Sequence, residues 1–172
     1  KFAGISTNFR REVGAHGISD RGIWRVHQFS KVEQVIICKP EDSKEMHNEI
    51  LENATHIFKK LEIPFRVIDI CTGDIGTVAA RKFDIEAWMP SSKKWKEVVS
   101  ASNCKSYQSV RLNMRYRTQE GTDFPHTLNS TAVATTRALA AILENNQTDN
   151  GDVIIPEVLR KWMGNQEIIE AK

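Results

Sequence analysis

Apolar and polar side chains alternate along 82–89, where Phe83, Ile85, Ala87 and Met89 interleave with Asp84, Glu86 and Trp88. Successive side chains of an extended chain point to opposite faces, so this segment predicts a strand with its acidic residues on one face. Pro90-Ser91-Ser92 predicts a turn, and 95–102 the returning strand. The same period of two runs through 23–37, with Arg25, His27, Phe29, Lys31 and Glu33 on one side and Trp24, Val26, Val32 and Ile36 on the other. In the strand before it, Ile5, Thr7 and Phe9 oppose Arg10 and Glu12. Joined as an antiparallel hairpin through a loop dotted with Gly14, Gly17 and Gly22, these strands set two arginines, an aromatic ring and two carboxylates on one floor.

Elsewhere the period lengthens. Met46, Ile50, Leu51, Ala54, Ile57, Phe58 and Leu61 recur at helical spacing behind a capping pair, Asp42 and Glu45, and Pro64 stops that helix. A short strand over 65–70 ends at Thr72-Gly73-Asp74. Segments 110–116 and 124–128 flank a polar tip at 119–123 and predict a hairpin. From Ser130 or Thr131 to Asn145 the residues are small and helical, and a last short helix over 156–163 starts on proline. Strands linked mostly by hairpins, with two main helices, place the chain in the α+β class: an antiparallel β-sheet flanked by helices.

With 172 residues, 40% of them hydrophobic, the chain is read as one domain with a substantial core. Its 24 Lys and Arg against 22 Asp and Glu give a net charge of +2, so any nucleic-acid contact is local. Cys38, Cys71 and Cys104 form no CxxC pair and have no histidine at ligand spacing; they read as reduced and structural, in a cytoplasmic protein. No apolar run approaches the roughly 20 residues that span a bilayer, so no membrane partner is expected. Lys1 opens almost directly into a strand without a methionine, and the chain reads as a fragment.

A triphosphate offers clustered anionic oxygens that planar, permanently charged guanidinium groups bind in pairs. Arg10, Arg25 and Arg137 are the candidates, although a strand arginine taken alone is more often a surface ion pair. Phe29 shares their face and either stacks on a base or packs under a covering loop. Glu33 lies four residues on, roughly 13 Å at about 3.3 Å per residue, a span that suits the distance from base to amino acid in an aminoacyl-adenylate; its plain alternative is a partner for Lys31 or Lys39. Glu97 and Ser100 are hard oxygen donors suited to Mg²⁺, but their odd spacing puts them on opposite faces unless a bulge intervenes. Arg137 follows the small residues of 127–136 at a helix start, a place for close backbone approach to a ligand. The loop with His16 and Arg21 is either merely flexible or able to admit an RNA end. His27, Trp88 and Trp162 are assigned to packing.

Phe9-Arg10-Arg11-Glu12, followed by Arg-Gly-Ile-Trp-Arg-Val-His-Gln-Phe-Ser-Lys-Val-Glu-Gln, resembles motif 2 of the class II aminoacyl-tRNA synthetases in the form found in seryl-tRNA synthetases. Thr-Leu-Asn-Ser-Thr-Ala-Val-Ala-Thr-Thr-Arg-Ala with Ile-Leu-Glu-Asn resembles motif 3 of the same family, and the Val-Val-Ser-Ala-Ser-Asn-Cys segment and the Thr-Gly-Asp turn fit as well. The wording is most similar to archaeal and eukaryotic-type members and covers essentially the whole chain, with motif 2 at 4–37 and motif 3 at 127–146. The resemblance implies a partial class II catalytic fold with a six- or seven-stranded antiparallel sheet. It also implies ATP and Mg²⁺ as cosubstrates, and a homodimeric full-length enzyme that joins serine to tRNA(Ser). Carried over by residue, Arg10 contacts the α-phosphate, Glu12 the adenine amino group, and Arg25 and Arg137 the terminal phosphates. Phe29 stacks on adenine, Glu97 and Ser100 hold Mg²⁺, and Glu33, Thr131 and Asn129 form the serine site. Motif 1 and the N-terminal tRNA-binding arm have no counterpart in the chain. Two other classes compete: a synthetase-like paralogue that binds a partner without catalysis, and a ligase that loads an amino acid onto a carrier protein.

Overall fold

The computed structural model describes residues 1–12 and 22–172. Strand β1 (Phe2–Phe9) pairs antiparallel with β2 (Gln28–Cys38), and helix α1 (Ser43–Lys60) follows. Then come β3 (Phe65–Asp69), β4 (Arg81–Met89) and β5 (Lys94–Asn103), a short helix α2 (Tyr107–Arg111), and a small hairpin of β6 (Tyr116–Thr118) and β7 (Gly121–Asp123). Strand β8 (His126–Ala134) leads into α3 (Thr135–Asn145). The chain closes with β9 (Val153–Ile154), α4 (Glu157–Arg160) and β10 (Ile168–Ile169). Six strands form one antiparallel sheet in the order β1-β2-β8-β5-β4-β3. The sheet is antiparallel with flanking helices, as the hairpin-rich pattern predicts.

Helix α1 forms because Ile50, Ala54 and Phe58 recur every fourth residue and are fully buried, while Lys44, Glu45 and Glu52 face water. Phe58 and Ala54 enter one core cluster with Ile85, Ala87 and Met89 of β4, Val98 and Val99 of β5 and Ala141 of α3. Ile50 enters a second with Ile36, Ala101 and Leu128. Fully burying a side chain like Phe58 or Ile50 contributes about 1.5–3 kcal/mol. Two buried polar ties fix the helix to the sheet. His47 Nε2–H donates to the Ala101 carbonyl at 3.0 Å, and Asn103 Nδ2–H donates to Ser43 Oγ at 2.7 Å.

Several expectations are corrected. The strand expected over 23–37 begins only at Gln28, with residues 22–27 in turn and bend conformations, so Trp24 and Val26 lie outside the strand, although Trp24 still packs against the first core cluster. Asp42 is the N-cap of α1 but makes no capping bond, because a 3-10 turn at Pro40–Asp42 has already given it helical backbone angles (φ −82°, ψ −13°). The hairpin expected from 110–116 and 124–128 is replaced by α2 and the smaller β6–β7 ribbon; the Ser109 hydroxyl donates to Pro125 O at 2.6 Å, tying α2 to the strand that follows. Residues 130–134 are strand rather than helix. They belong to β8, which pairs with β2 along its length and with β5 at Leu128–Ser130. Cys71 and Trp162 are exposed, Trp162 at 76%, so neither packs a core. Trp88 does pack, half-buried and edge-on against Trp95. Among the described residues no helix is long and apolar enough to cross a membrane.

Candidate active site

One cleft over the sheet is lined by Arg10, Glu12, Arg25, Phe29, Glu33, Glu97, Ser100, Asn129, Thr131 and Arg137 together. These ten are all of the site residues expected from the sequence. The β1–β2 ladder pairs Asn8 with Phe29 and Phe9 with Gln28, and it continues one step further through Arg10 N–H, which donates to His27 O at 2.8 Å. The guanidinium of Arg10 thereby comes to 5.3 Å from the centroid of the Phe29 ring. His27, expected to pack, is exposed and places Nδ1 3.0 Å from the Arg10 carbonyl. Glu12 takes a left-handed backbone angle (φ +48°) that a non-glycine residue seldom adopts. It is held by the Arg25 guanidinium at 2.7 Å, and that bond keeps its carboxyl below the usual carboxylate range.

At the other end of the cleft a compact polar cluster surrounds one carboxylate. Asn129 Nδ2–H donates to Glu33 Oε1 at 3.1 Å, Thr131 Oγ–H donates to Glu33 Oε2 at 3.2 Å, and Lys31 Nζ lies 2.8 Å from that same oxygen. Asn129 and Thr131 share a face because they stand two apart on β8. Ala134 joins them in the lining at odd spacing because the register shifts between Val32 and Glu33, leaving Ala132 as an extra residue in β8. Of the two readings of Glu33, the Lys31 pair exists, and it sits inside the cleft. Phe29 lines the cleft and belongs to neither core cluster.

Glu97 and Ser100 are brought to the same cleft by a second irregularity. The β4–β5 register shifts between Ile85 and Glu86, so Val98 is extra in β5; Val98 and Val99 are both buried, and the carboxylate and hydroxyl flanking them both line the cleft. Arg137, third residue of α3, reaches across to donate to the Glu97 carbonyl at 2.9 Å and stands 3.4 Å from its carboxylate. Two hard oxygens on one side of the cleft suit an ion such as Mg²⁺, which takes one or two protein oxygens and completes its octahedron with phosphate and water. The donor chemistry therefore fits that ion. Opposite Ser100 on β4 is Asp84, whose carboxyl burial pushes above the usual range.

Six further residues line the cleft beyond the expected ten, Val26 and the Ala134 already described among them. Trp24 lines the cleft with Arg137 at 5.6 Å and Lys96 at 5.0 Å from its ring, a position that strand alternation assigned to the packing face. Lys31, Val98 and Thr136 also line it. Only the bulges, which no local pattern announces, bring Val98 to the cleft. The expected loop contribution of His16 and Arg21 lies outside the described residues. The lining carries Arg10, Arg25, Lys31 and Arg137 against Glu12, Glu33 and Glu97. Its cations are thus arranged around carboxylates that an anionic ligand could replace, one end flat and aromatic, the other small and rich in hydrogen-bonding groups.

Residues 1–146 match the family model described as tRNA synthetase class II core domain (G, H, P, S and T). The chain is 59% identical over 172 residues to the serine–tRNA ligase of Methanospirillum hungatei and 60% identical to that of Methanocorpusculum labreanum, in each case covering 98% of this chain and 40% of the relative. Among solved structures it is similar to the seryl-tRNA synthetase of Pyrococcus horikoshii complexed with ATP. The TM-score is 0.94 at 53% identity, over 99% of this chain and 39% of that one. It is likewise similar to the cytoplasmic serine–tRNA ligase of Naegleria fowleri in complex with AMP, with TM-score 0.92 and 45% identity over 99% of this chain and 41% of that one. The chain thus spans about 40% of the length of the curated relatives it matches.

Proposed function

We propose a function from one premise: the chain belongs to the tRNA synthetase class II core domain family, whose model it matches over residues 1–146. The full-length protein activates serine with ATP to seryl-adenylate and transfers the seryl group to tRNA(Ser), acting as a cytoplasmic homodimer. The single observation that carries this reading is the joining of the arginine-lined end of the cleft to the Glu33, Asn129 and Thr131 cluster in one continuous lining.

In this mechanism Phe29 stacks on the adenine ring and Glu12 accepts from its amino group. Arg10 lies against the α-phosphate, and Arg25 and Arg137 grip the terminal phosphates, each as a charge-assisted bond stronger than its neutral counterpart. Glu33 and Thr131 bond the serine hydroxyl, with Asn129 fixing the carboxylate of Glu33. The serine carboxylate oxygen then attacks the α-phosphorus and the bond to pyrophosphate breaks, so no protein nucleophile is needed. Catalysis rests on holding the two reactants in line and on stabilising charge as it moves to the leaving group. Mg²⁺, when bound by Glu97 and Ser100, supplies neutralising charge to the phosphates. Alanine is refused because it leaves the polar partners of the hydroxyl unsatisfied.

Serine-dependent ATP–pyrophosphate exchange by the full-length protein tests the reading. Exchange driven by serine and not by alanine or threonine is the expected result. ATP binding without exchange for any amino acid would instead favour a non-catalytic paralogue, and seryl transfer to a carrier protein rather than tRNA would favour the ligase alternative.

A further inference from the structure

Asp84 is a buried acidic side chain of the sheet that the mechanism leaves unused. It is only 8% exposed, and its Oδ1 has no hydrogen-bond partner. Most buried polar atoms are bonded, so an orphaned carboxylate oxygen requires a reason, all the more because burying a charge costs several kcal/mol unless it is compensated. Among the described residues no cation forms an ion pair with Asp84 in the way that Arg66 pairs with Glu86 on the same strand. In the β4–β5 ladder Asp84 stands directly across from Ser100. Directly opposed side chains rise on one face with Cβ atoms about 4.5–5.5 Å apart, so the carboxylate stands beside the cleft-lining hydroxyl. The bulge at Val98 is confined to the Glu97 side of this pair, leaving the Asp84–Ser100 register intact.

A serine hydroxyl has one proton and two lone pairs. If the proton points into the cleft, the oxygen presents a positive end to any cation. If it points away, toward an acceptor, the lone pairs face the cleft. We propose that Asp84 is a positioning residue that accepts the Ser100 hydroxyl proton in a hydrogen bond and so turns the Ser100 oxygen, lone pairs first, toward a divalent cation bound with ATP. Its orphaned oxygen and its burial mark a carboxylate kept for orientation rather than for fold stability. This rests on the reading of Glu97 and Ser100 as cation-holding groups given above.

Asp84→Asn is the informative variant. It is close to isosteric, removes a buried charge, and can present an N–H to Ser100, which reverses the polarity of the bond. Mn²⁺ bound with ATP, in the absence of serine, is followed by electron paramagnetic resonance in the full-length wild type, Asp84→Asn, Ser100→Ala and the double variant; Asp84→Ala serves as a second probe, and circular dichroism checks folding. Removing the group that orients a metal ligand typically costs about 10–100-fold in metal affinity, and that loss is expected for Asp84→Asn with the KM for serine unchanged. In the Ser100→Ala background Asp84→Asn should add no further loss. Wild-type Mn²⁺ affinity in both Asp84 variants, or an undiminished loss in the Ser100→Ala background, would overturn the proposal. Because this readout needs no serine, a wild type that binds Mn²⁺ and ATP but fails to exchange pyrophosphate would sink the functional reading alone and leave the Asp84 result standing.

Discussion

Arg137 is clamped by the protein itself: Glu97 takes its N–H on one side and the Trp24 ring lies 5.6 Å away on the other. A guanidinium held this way loses less freedom when a phosphate arrives than one free in solvent. Arg137→Ala is expected to lower kcat/KM for ATP by about 10²–10³-fold, the size seen when a transition-state charge stabiliser is removed, with the fold unchanged by circular dichroism; unaltered exchange kinetics would remove Arg137 from the site. Trp24→Ala removes the cation–ring contacts with Arg137 and Lys96, each of about 0.5–2 kcal/mol, together with some packing against the core, so its effect on ATP use should be nearer tenfold and rank below that of Arg137→Ala. At the other end of the cleft, Thr131→Val deletes a hydroxyl bonded to Glu33 at 3.2 Å. This should raise the KM for serine by about tenfold or more while leaving the KM for ATP in place, and equal changes in both constants would contradict a separate serine subsite.

Among the elements, helix α1 and the bulged strands carry different lessons. His47 on α1 is 2% exposed, stacks on Phe83 with centroids 4.9 Å apart, and donates to the Ala101 carbonyl. Burial holds its pKa below the usual 6.5, and His126 is shifted the same way, mainly by burial. A depressed histidine contributes stability that is present above 6.5 and lost as pH falls toward the folded-state value, at up to about 1.4 kcal/mol per pH unit for each proton. Asp84 acts in the opposite sense: its raised pKa gives a contribution present below 3.8 and lost as pH rises through the raised value. The urea midpoint should therefore fall below pH 6.5, and His47→Gln, which can still donate to Ala101, should flatten that fall; an identical slope in the variant would show that His47 is not its source. Helix α1 was legible because Ile50, Ala54 and Phe58 repeat without interruption, and the strand at 82–89 because its alternation is clean. The two bulges were not, since an extra residue at Val98 or Ala132 is defined only against the partner strand. Residues 130–134 misled for a related reason: Ser, Thr, Ala and Val together fit a small-residue helix as well as a central strand under a helix.

Across the whole molecule, the sheet order β1-β2-β8-β5-β4-β3 brings residues from positions 10, 33, 97 and 131 into one cleft. That gathering was readable only through the motif resemblance, because periodicity fixes faces but not which strands become neighbours. The same order leaves β1 at an edge, with Phe2 66%, Ile5 82% and Phe9 74% exposed. An apolar edge strand invites pairing with another chain. The isolated 172-residue chain should accordingly self-associate as its concentration rises, and light scattering from a monomer at all concentrations would contradict this. The central claim is that one cleft holds the nucleotide and the amino acid together, and a crystal structure of the full-length protein with a non-hydrolysable seryl-adenylate analogue tests it most directly. The account predicts adenine against Phe29, the phosphate mimic beside Arg10, and the serine hydroxyl between Glu33 and Thr131. An analogue bound elsewhere, or bound here with its serine end turned away from Glu33, would contradict it.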